Sequence, residues 1–125
     1  MKKAFLSFFA FVLFACCQAN AALVDTVEVN SSVMKKNLKV VVVRPAGYNS
    51  GKEFPVVYLL HGYSGNHSNW ITKAPVIQQA ADQYNMIIVC PDGGFSSWYW
   101  DSPVDPQSQF ETYVSKELVS YVDKR

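Results

Sequence analysis

Two short apolar runs, residues 54–60 (FPVVYLL) and 86–90 (MIIVC), bracket a segment whose apolar side chains recur at helical spacing. Runs this free of polar residues suit strands covered on both faces. Between them Val76, Ile77, Ala80, Ala81 and Tyr84 make residues 73–84 an amphipathic helix, with Pro75 tolerated in its first turn. Strand, helix and strand in this order predict a parallel βαβ unit, with 54–60 as the first central strand. Most alternatives fall away at once: an α/β fold with a mostly parallel sheet flanked by helices is expected.

The flanking segments extend that sheet. Residues 24–29 (VDTVEV) and 38–44 (LKVVVVR) are rich in β-branched side chains, and Asn30-Ser31-Ser32 with Lys35-Lys36-Asn37 breaks the chain between them. They read as two antiparallel neighbours. Pro45, Gly47, Asn49, Ser50 and Gly51 supply a turn before the first apolar run, and Pro91-Asp92-Gly93-Gly94 ends the second. A last helix follows, with Ser108 and Glu111 as a capping box and Phe110, Tyr113, Val114, Leu118, Tyr121 and Val122 along one face, running to the final residue. The alternation stops at the point where another strand should come.

Half of the 125 residues are hydrophobic and 17% are charged, a balance that favours a buried core over disorder. Part of that apolar content sits at the N-terminus, where Lys2 and Lys3 precede the uncharged residues 4–15 (AFLSFFAFVLFA). About a dozen apolar residues are too few to span a bilayer, which takes roughly 20, but they fit a secretory signal peptide. Ala19-Asn20-Ala21 has the small-x-small form of a cleavage site, so residues 1–21 are expected to leave and the mature chain to begin at Ala22. The alternative is a lipoprotein anchor at Cys16 or Cys17, which the bulky Phe14 fits less well. A secreted or periplasmic location follows, with residues 22–125 as one partial domain. Cys90 is then the sole mature cysteine, which excludes an internal disulfide or a cysteine metal cluster. Losing Lys2 and Lys3 takes the formal charge from +1 to −1, which points away from nucleic acid and anionic membranes.

Chemistry concentrates after the first apolar run, in Leu59-Leu60-His61-Gly62-Tyr63-Ser64-Gly65-Asn66-His67. In open α/β sheets the ligand site lies outside the carboxyl ends of the strands, and glycines there let backbone amides approach a substrate. His61, sharing one loop with His67, reads as a structural hydrogen-bonding residue rather than a base. His67 with Asp92 forms only half of a metal site. Trp98, Tyr99 and Trp100 alternate in a loop next to Asp101, as side chains bordering a groove would.

The run VVYLLHGYSGNHSNW, followed by IIVCPDGG, SSWYWDS and the 110–122 helix, resembles the esterase family of α/β-hydrolases that includes tributyrin esterases, S-formylglutathione hydrolases, feruloyl and acetyl-xylan esterases and the mycolyltransferases. The resemblance covers roughly residues 38–125 and is nearest to the tributyrin-esterase type. It implies the N-terminal portion of an α/β-hydrolase fold and a serine esterase acting on short-chain or carbohydrate-linked esters, without cofactor or metal. It also implies an oxyanion-hole donor at the Tyr63 N–H, and a substrate region formed by His61, Gly62, Trp98, Tyr99, Trp100 and Asp101.

One departure from the family's pattern matters most: no G-x-S-x-G occurs in the chain. In this fold nucleophile, acid and histidine follow in that order, so all three are expected beyond Arg125. A chain without them should be inactive alone, and its half-sheet prone to aggregation. Acyl transfer to an alcohol, or a non-catalytic carbohydrate-binding role for the aromatic loop, are the competing readings.

Overall fold

The computed structural model describes residues 21–125. The expected signal sequence, with Lys2, Lys3, Cys16, Cys17, Ala19 and Asn20, lies outside the described residues.

Four strands form one sheet in the order β1-β2-β4-β3. Strand β1 (Leu23–Ser31) pairs antiparallel with β2 (Lys36–Arg44), from Leu23 opposite Arg44 to Ser31 opposite Lys36. Both strands run further than the β-branched cores predicted. Asn30 and Asn37, read as breakers, face each other across the ladder with Asn30 Nδ2 donating to Asn37 Oδ1 at 2.9 Å. Lys35 closes the turn in the left-handed region, at φ 53°. From below, the Glu117 carboxylate accepts Ser31 Oγ–H at 2.6 Å and Ser32 N–H at 2.9 Å.

Strand β4 (Ile87–Pro91) joins β2 antiparallel and β3 (Val56–Tyr58) parallel. The crossover between β3 and β4 is therefore the expected βαβ unit. Among the described residues its first strand is not central, however. It is three residues long, half-buried, and at the edge of the described sheet, because β2 and β4 take the middle positions. Only those two show the two-sided burial foreseen for residues 54–60: Leu38, Val40 and Val89 face one core cluster, Val41, Val43, Ile88 and Cys90 the other.

Helices cover both faces. On one, α1 (Asn69–Lys73) and α2 (Val76–Tyr84) place Ile77 and Ala81 over the sheet. The helix expected over residues 73–84 starts at Val76 instead, with Pro75, which lacks an N–H, just ahead of it, and the short α1 before Ala74 is not foreseen by the sequence pattern. Asn85 ends α2 at φ 48°, and Met86 N–H reaches back to Ala81 O at 3.0 Å, as in a Schellman cap. On the other face α3 (Phe110–Thr112), a π-helical turn (Tyr113–Leu118) and α4 (Val119–Asp123) follow without interruption. Phe110, Tyr113 and Leu118 are buried there with Val29, Met34, Leu38, Val40 and Val89. The predicted apolar stripe holds, though the helix stops at Asp123.

The capping box does not form. Gln109 precedes the first turn and no side chain in that position caps it. Instead the loop folds back through Ser102 N–H to Ser108 O at 2.7 Å, and Asp101 accepts Thr112 N–H at 3.0 Å and Thr112 Oγ1–H at 2.5 Å. A carboxylate from the loop thus takes the place expected of Ser108. Among the described residues no helix is long and apolar enough to cross a membrane.

Candidate functional site

The loops that leave β3 and β4 meet at the carboxyl end of the sheet. Three hydrogen bonds from backbone N–H groups join them. Gly93 N–H donates to His61 Nε2 at 2.8 Å, His61 N–H donates to the Tyr99 hydroxyl at 3.1 Å, and Ser64 N–H donates to Phe95 O at 2.8 Å. With Nε2 accepting, the ring proton belongs on Nδ1, which lies 2.8 Å from Gly62 O. The His61 side chain is only 2% exposed, and both nitrogens are taken. It braces the loop and presents no free atom to a substrate.

The two glycines of this loop differ. A Cβ on Gly65 would fall 2.6 Å from Asn69 Nδ2 and 2.7 Å from His61 Nδ1, so close packing demands glycine there. Around Gly62 there is open space within 4 Å. Ser64 stands at φ 58°, and the next N–H, from Gly65, turns inward to Gly62 O at 3.0 Å. Within residues 61–65, Gly62 and Tyr63 are left as the residues whose N–H groups meet no acceptor among the described residues. Both border a cavity of about 190 Å³ that is otherwise lined by His61 and residues 93–99.

The opposite wall is the glycine–aromatic loop. Trp98 and Tyr99 both adopt positive φ, 55° and 54°, a conformation that bulky residues hold only under restraint from their surroundings. Ser97 supplies it: its Oγ accepts Tyr99 N–H at 3.0 Å and donates to Gly93 O. Burial pushes the Tyr99 hydroxyl up to about 12, so it stays protonated at any working pH. Its ring lies against Gly93, where a Cβ would come within 2.3 Å of it. Tyr63, Phe95 and Trp98 form an exposed aromatic rim; Tyr63 meets Phe95 edge-on at 5.0 Å and stacks on Trp98 at 6.1 Å.

Of the residues singled out in the sequence, Gly62, Tyr63 and Trp98 come together at the open cavity. Tyr99 reaches it from below. Trp100 is exposed but is not among the cavity's lining residues. Asp101 is turned away to cap the last helix, and its two hydrogen bonds from Thr112 hold its carboxyl below the usual carboxylate range. His67 and Asp92 do meet, with Nδ1 3.2 Å from Oδ2, while Asp92 Oδ1 accepts Gly94 N–H at 2.9 Å. That pair ties the two loops; among the described residues no three His, Cys, Asp or Glu side chains gather as metal ligands would. Phe95 and Ser97 escaped the sequence reading. The signal for Phe95 was an aromatic residue inside a glycine–serine loop, where no element's periodicity calls for one.

Loops at the carboxyl ends of parallel strands, over a mixed sheet with helices on both faces, define an α/β-hydrolase-fold protein, and known structures of esterases share the architecture. A ferulic acid esterase is 26% identical with a TM-score of 0.69, the match covering 82% of this chain and 44% of that one. An S-formylglutathione hydrolase from Agrobacterium tumefaciens is 21% identical with a TM-score of 0.73, covering 86% and 45%. An acetyl esterase of Caldicellulosiruptor saccharolyticus is 26% identical over 99 residues, 73% of this chain and 36% of that protein. The family model described as "Putative esterase" matches residues 31–125, and the chain belongs to that esterase family. It spans less than half the length of each of these relatives.

Proposed function

We propose that these residues form the oxyanion side of a serine-type carboxylic-ester hydrolase whose nucleophile, acid and catalytic histidine lie in chain beyond Arg125. The observation that carries this reading is the unpartnered Tyr63 N–H beside an open cavity, next to an equally unpartnered Gly62 N–H, in a loop whose amides from His61, Ser64 and Gly65 are engaged. Attack on an ester carbonyl places negative charge on its oxygen. A fixed donor there lowers the barrier by about 3–4 kcal/mol, because it needs no reorientation as the charge develops. His61 is not available as the base, because both of its ring nitrogens are engaged, by Gly93 N–H and Gly62 O. The exposed rim of Tyr63, Phe95 and Trp98 suits the acyl or sugar part of a short-chain or carbohydrate-linked ester. Export to the periplasm or medium, read from the N-terminus, would put the enzyme where such esters are met.

Hydrolysis of p-nitrophenyl acetate tests the assignment. Residues 22–125 alone are expected to match buffer, and the full chain to turn over. In the full chain Tyr63→Ala keeps the amide and should stay within a few-fold of wild type. Tyr63→Pro removes the N–H and should lower kcat about a hundredfold, with circular dichroism confirming the fold. A folded Tyr63→Pro enzyme at wild-type kcat would overturn the oxyanion assignment.

A further inference from the structure

We propose that Tyr99 is a positioning residue for the oxyanion donor: its hydroxyl fixes the backbone of His61 and so aims the amide of Tyr63. Three residues form a closed triangle. The Tyr99 hydroxyl accepts His61 N–H at 3.1 Å, the His61 ring accepts Gly93 N–H at 2.8 Å, and Gly93 lies so close to the Tyr99 ring that a Cβ would sit 2.3 Å from it. Each corner fixes the next, and the chain leaves the His61 corner directly into Gly62 and Tyr63. Ser97 Oγ, bonded to Tyr99 N–H at 3.0 Å, sustains the left-handed turn that sends the ring inward. Without the hydroxyl, His61 N–H loses its acceptor, and the Gly62–Tyr63 peptide keeps only the bonds that Gly62 O accepts from His61 Nδ1 at 2.8 Å and Gly65 N–H at 3.0 Å, with no side-chain packing at Gly62 to replace the lost one. Tyr99 therefore acts through the backbone and not by touching the ester.

This inference rests on the oxyanion reading of Tyr63, so the test carries both. In the full chain, Tyr99→Phe keeps the ring and removes the hydroxyl. Its kcat for p-nitrophenyl acetate should fall about tenfold with KM within twofold, and inhibition by a trifluoromethyl ketone, whose tetrahedral adduct places an oxyanion in the hole, should weaken by the same factor. Ser97→Ala should show a smaller loss of the same form, and it carries the test if Tyr99→Phe fails to fold. Wild-type kcat in the folded variant, or a raised KM at unchanged kcat, would overturn the proposal; the second result would put Tyr99 against the substrate. If Tyr63→Pro costs a hundredfold while Tyr99→Phe costs nothing, the oxyanion reading stands and only the positioning role falls.

A separate observation concerns the N-terminus. Ala21 is exposed, whereas Ala22 is 8% exposed, packed in the cluster of Val41, Val43, Ile77 and Ala81, with its nitrogen 3.0 Å from Asp82 Oδ2. The other carboxylate oxygen accepts Ala46 N–H at 2.6 Å, which fixes the group in place. We infer that hydrolysis of the Ala21–Ala22 peptide bond by a leader peptidase creates a docked terminus. Water supplies the new Ala21 carboxylate, and the freed Ala22 nitrogen becomes an ammonium group on Asp82. Mass spectrometry of the exported full chain should show Ala22 first. Asp82→Asn, which retains an acceptor for Ala46, should lower Tm at neutral pH at least twice as far in that chain as in one keeping Met-Ala21 ahead of Ala22. Cleavage elsewhere, or an equal loss in both chains, would overturn the docking.

Discussion

The two ends of this sheet are finished to different degrees. At the carboxyl end of β3 and β4, two loops hold each other through the His61, Gly93 and Tyr99 triangle, the Ser64–Phe95 bond and the His67–Asp92 pair, around a cavity of about 190 Å³. Along the outer edge of β3 the picture reverses. A cavity of about 500 Å³ opens between Tyr48, Phe54, Val56 and Val122, and beyond it another of about 260 Å³ lies over Val27 of β1, Val42 of β2 and Tyr121. The hydroxyls of Tyr58 and Tyr113 are buried with no partner among the described residues. Folded polar groups almost always find partners. The loop end thus satisfies itself, whereas these two hydroxyls stay unsatisfied among the described residues. The part of the site that needs rigidity is built locally.

The sharpest way to break that contrast is to disturb the braced end by one methyl group. Gly93→Ala places a carbon 2.3 Å from the Tyr99 ring, and neither the ring nor the strand end can retreat without losing the His61 contacts. A loss of about 2–3 kcal/mol is expected, at the upper end of overpacking effects. Urea melts of the full chain would show it as a lowered midpoint at unchanged slope. A neutral result would mean that the loops are loosely held and that the triangle has no restraining role.

The same contrast decides how much could be read from sequence. The βαβ unit was legible because apolar runs and helical spacing are local signals. Which strand is central among the described residues was not, since the long apolar run 54–60 holds a strand of three residues at the edge of the described sheet and the two-faced burial belongs to β2 and β4. Periodicity measures burial and says nothing of neighbours. At the site, Gly62 and Tyr63 could be singled out from their place after a strand, and both line the cavity there. The roles of Asp101 and Tyr99 could not. Both sit in an aromatic loop that reads as a groove, and only the fold shows one bonded to Thr112 and the other to His61, 38 residues away in sequence.

Asp101 allows a smaller test on the other side of the contrast, where a loop reaches across to a helix. Asp101→Ala removes both bonds to Thr112 and should cost about 1 kcal/mol, a typical capping loss kept modest by solvent screening. Its carboxyl is lowered in the folded state, chiefly by the Thr112 side chain. The contribution is therefore complete above the unfolded carboxylate value, about 3.9, and disappears as pH falls through the lower folded value. Wild type and variant should differ in Tm at pH 7 and converge under acid conditions. A difference that persists undiminished in acid would show that the loss does not depend on the ionised carboxylate.

The smallest effect is expected where burial is greatest. Tyr113 is fully buried among Phe110, Leu118, Val40 and Val89, and its hydroxyl meets no acceptor among the described residues; burial holds it far above the usual tyrosine range. Removing an unbonded buried hydroxyl deletes a desolvation penalty and no hydrogen bond. Tyr113→Phe should therefore lie within about 0.5 kcal/mol of wild type, or be slightly more stable, since the ring and its packing remain. Tyr99→Phe makes the same chemical change at the braced end, where the hydroxyl has a partner, and should cost about 1–2 kcal/mol. Chemical denaturation of the two variants side by side measures the difference between the ends of the sheet directly. If Tyr113→Phe instead costs more than about 1 kcal/mol in the full chain, its hydroxyl has an acceptor beyond residues 21–125, and the open edge is closed in the whole protein as tightly as the site is here.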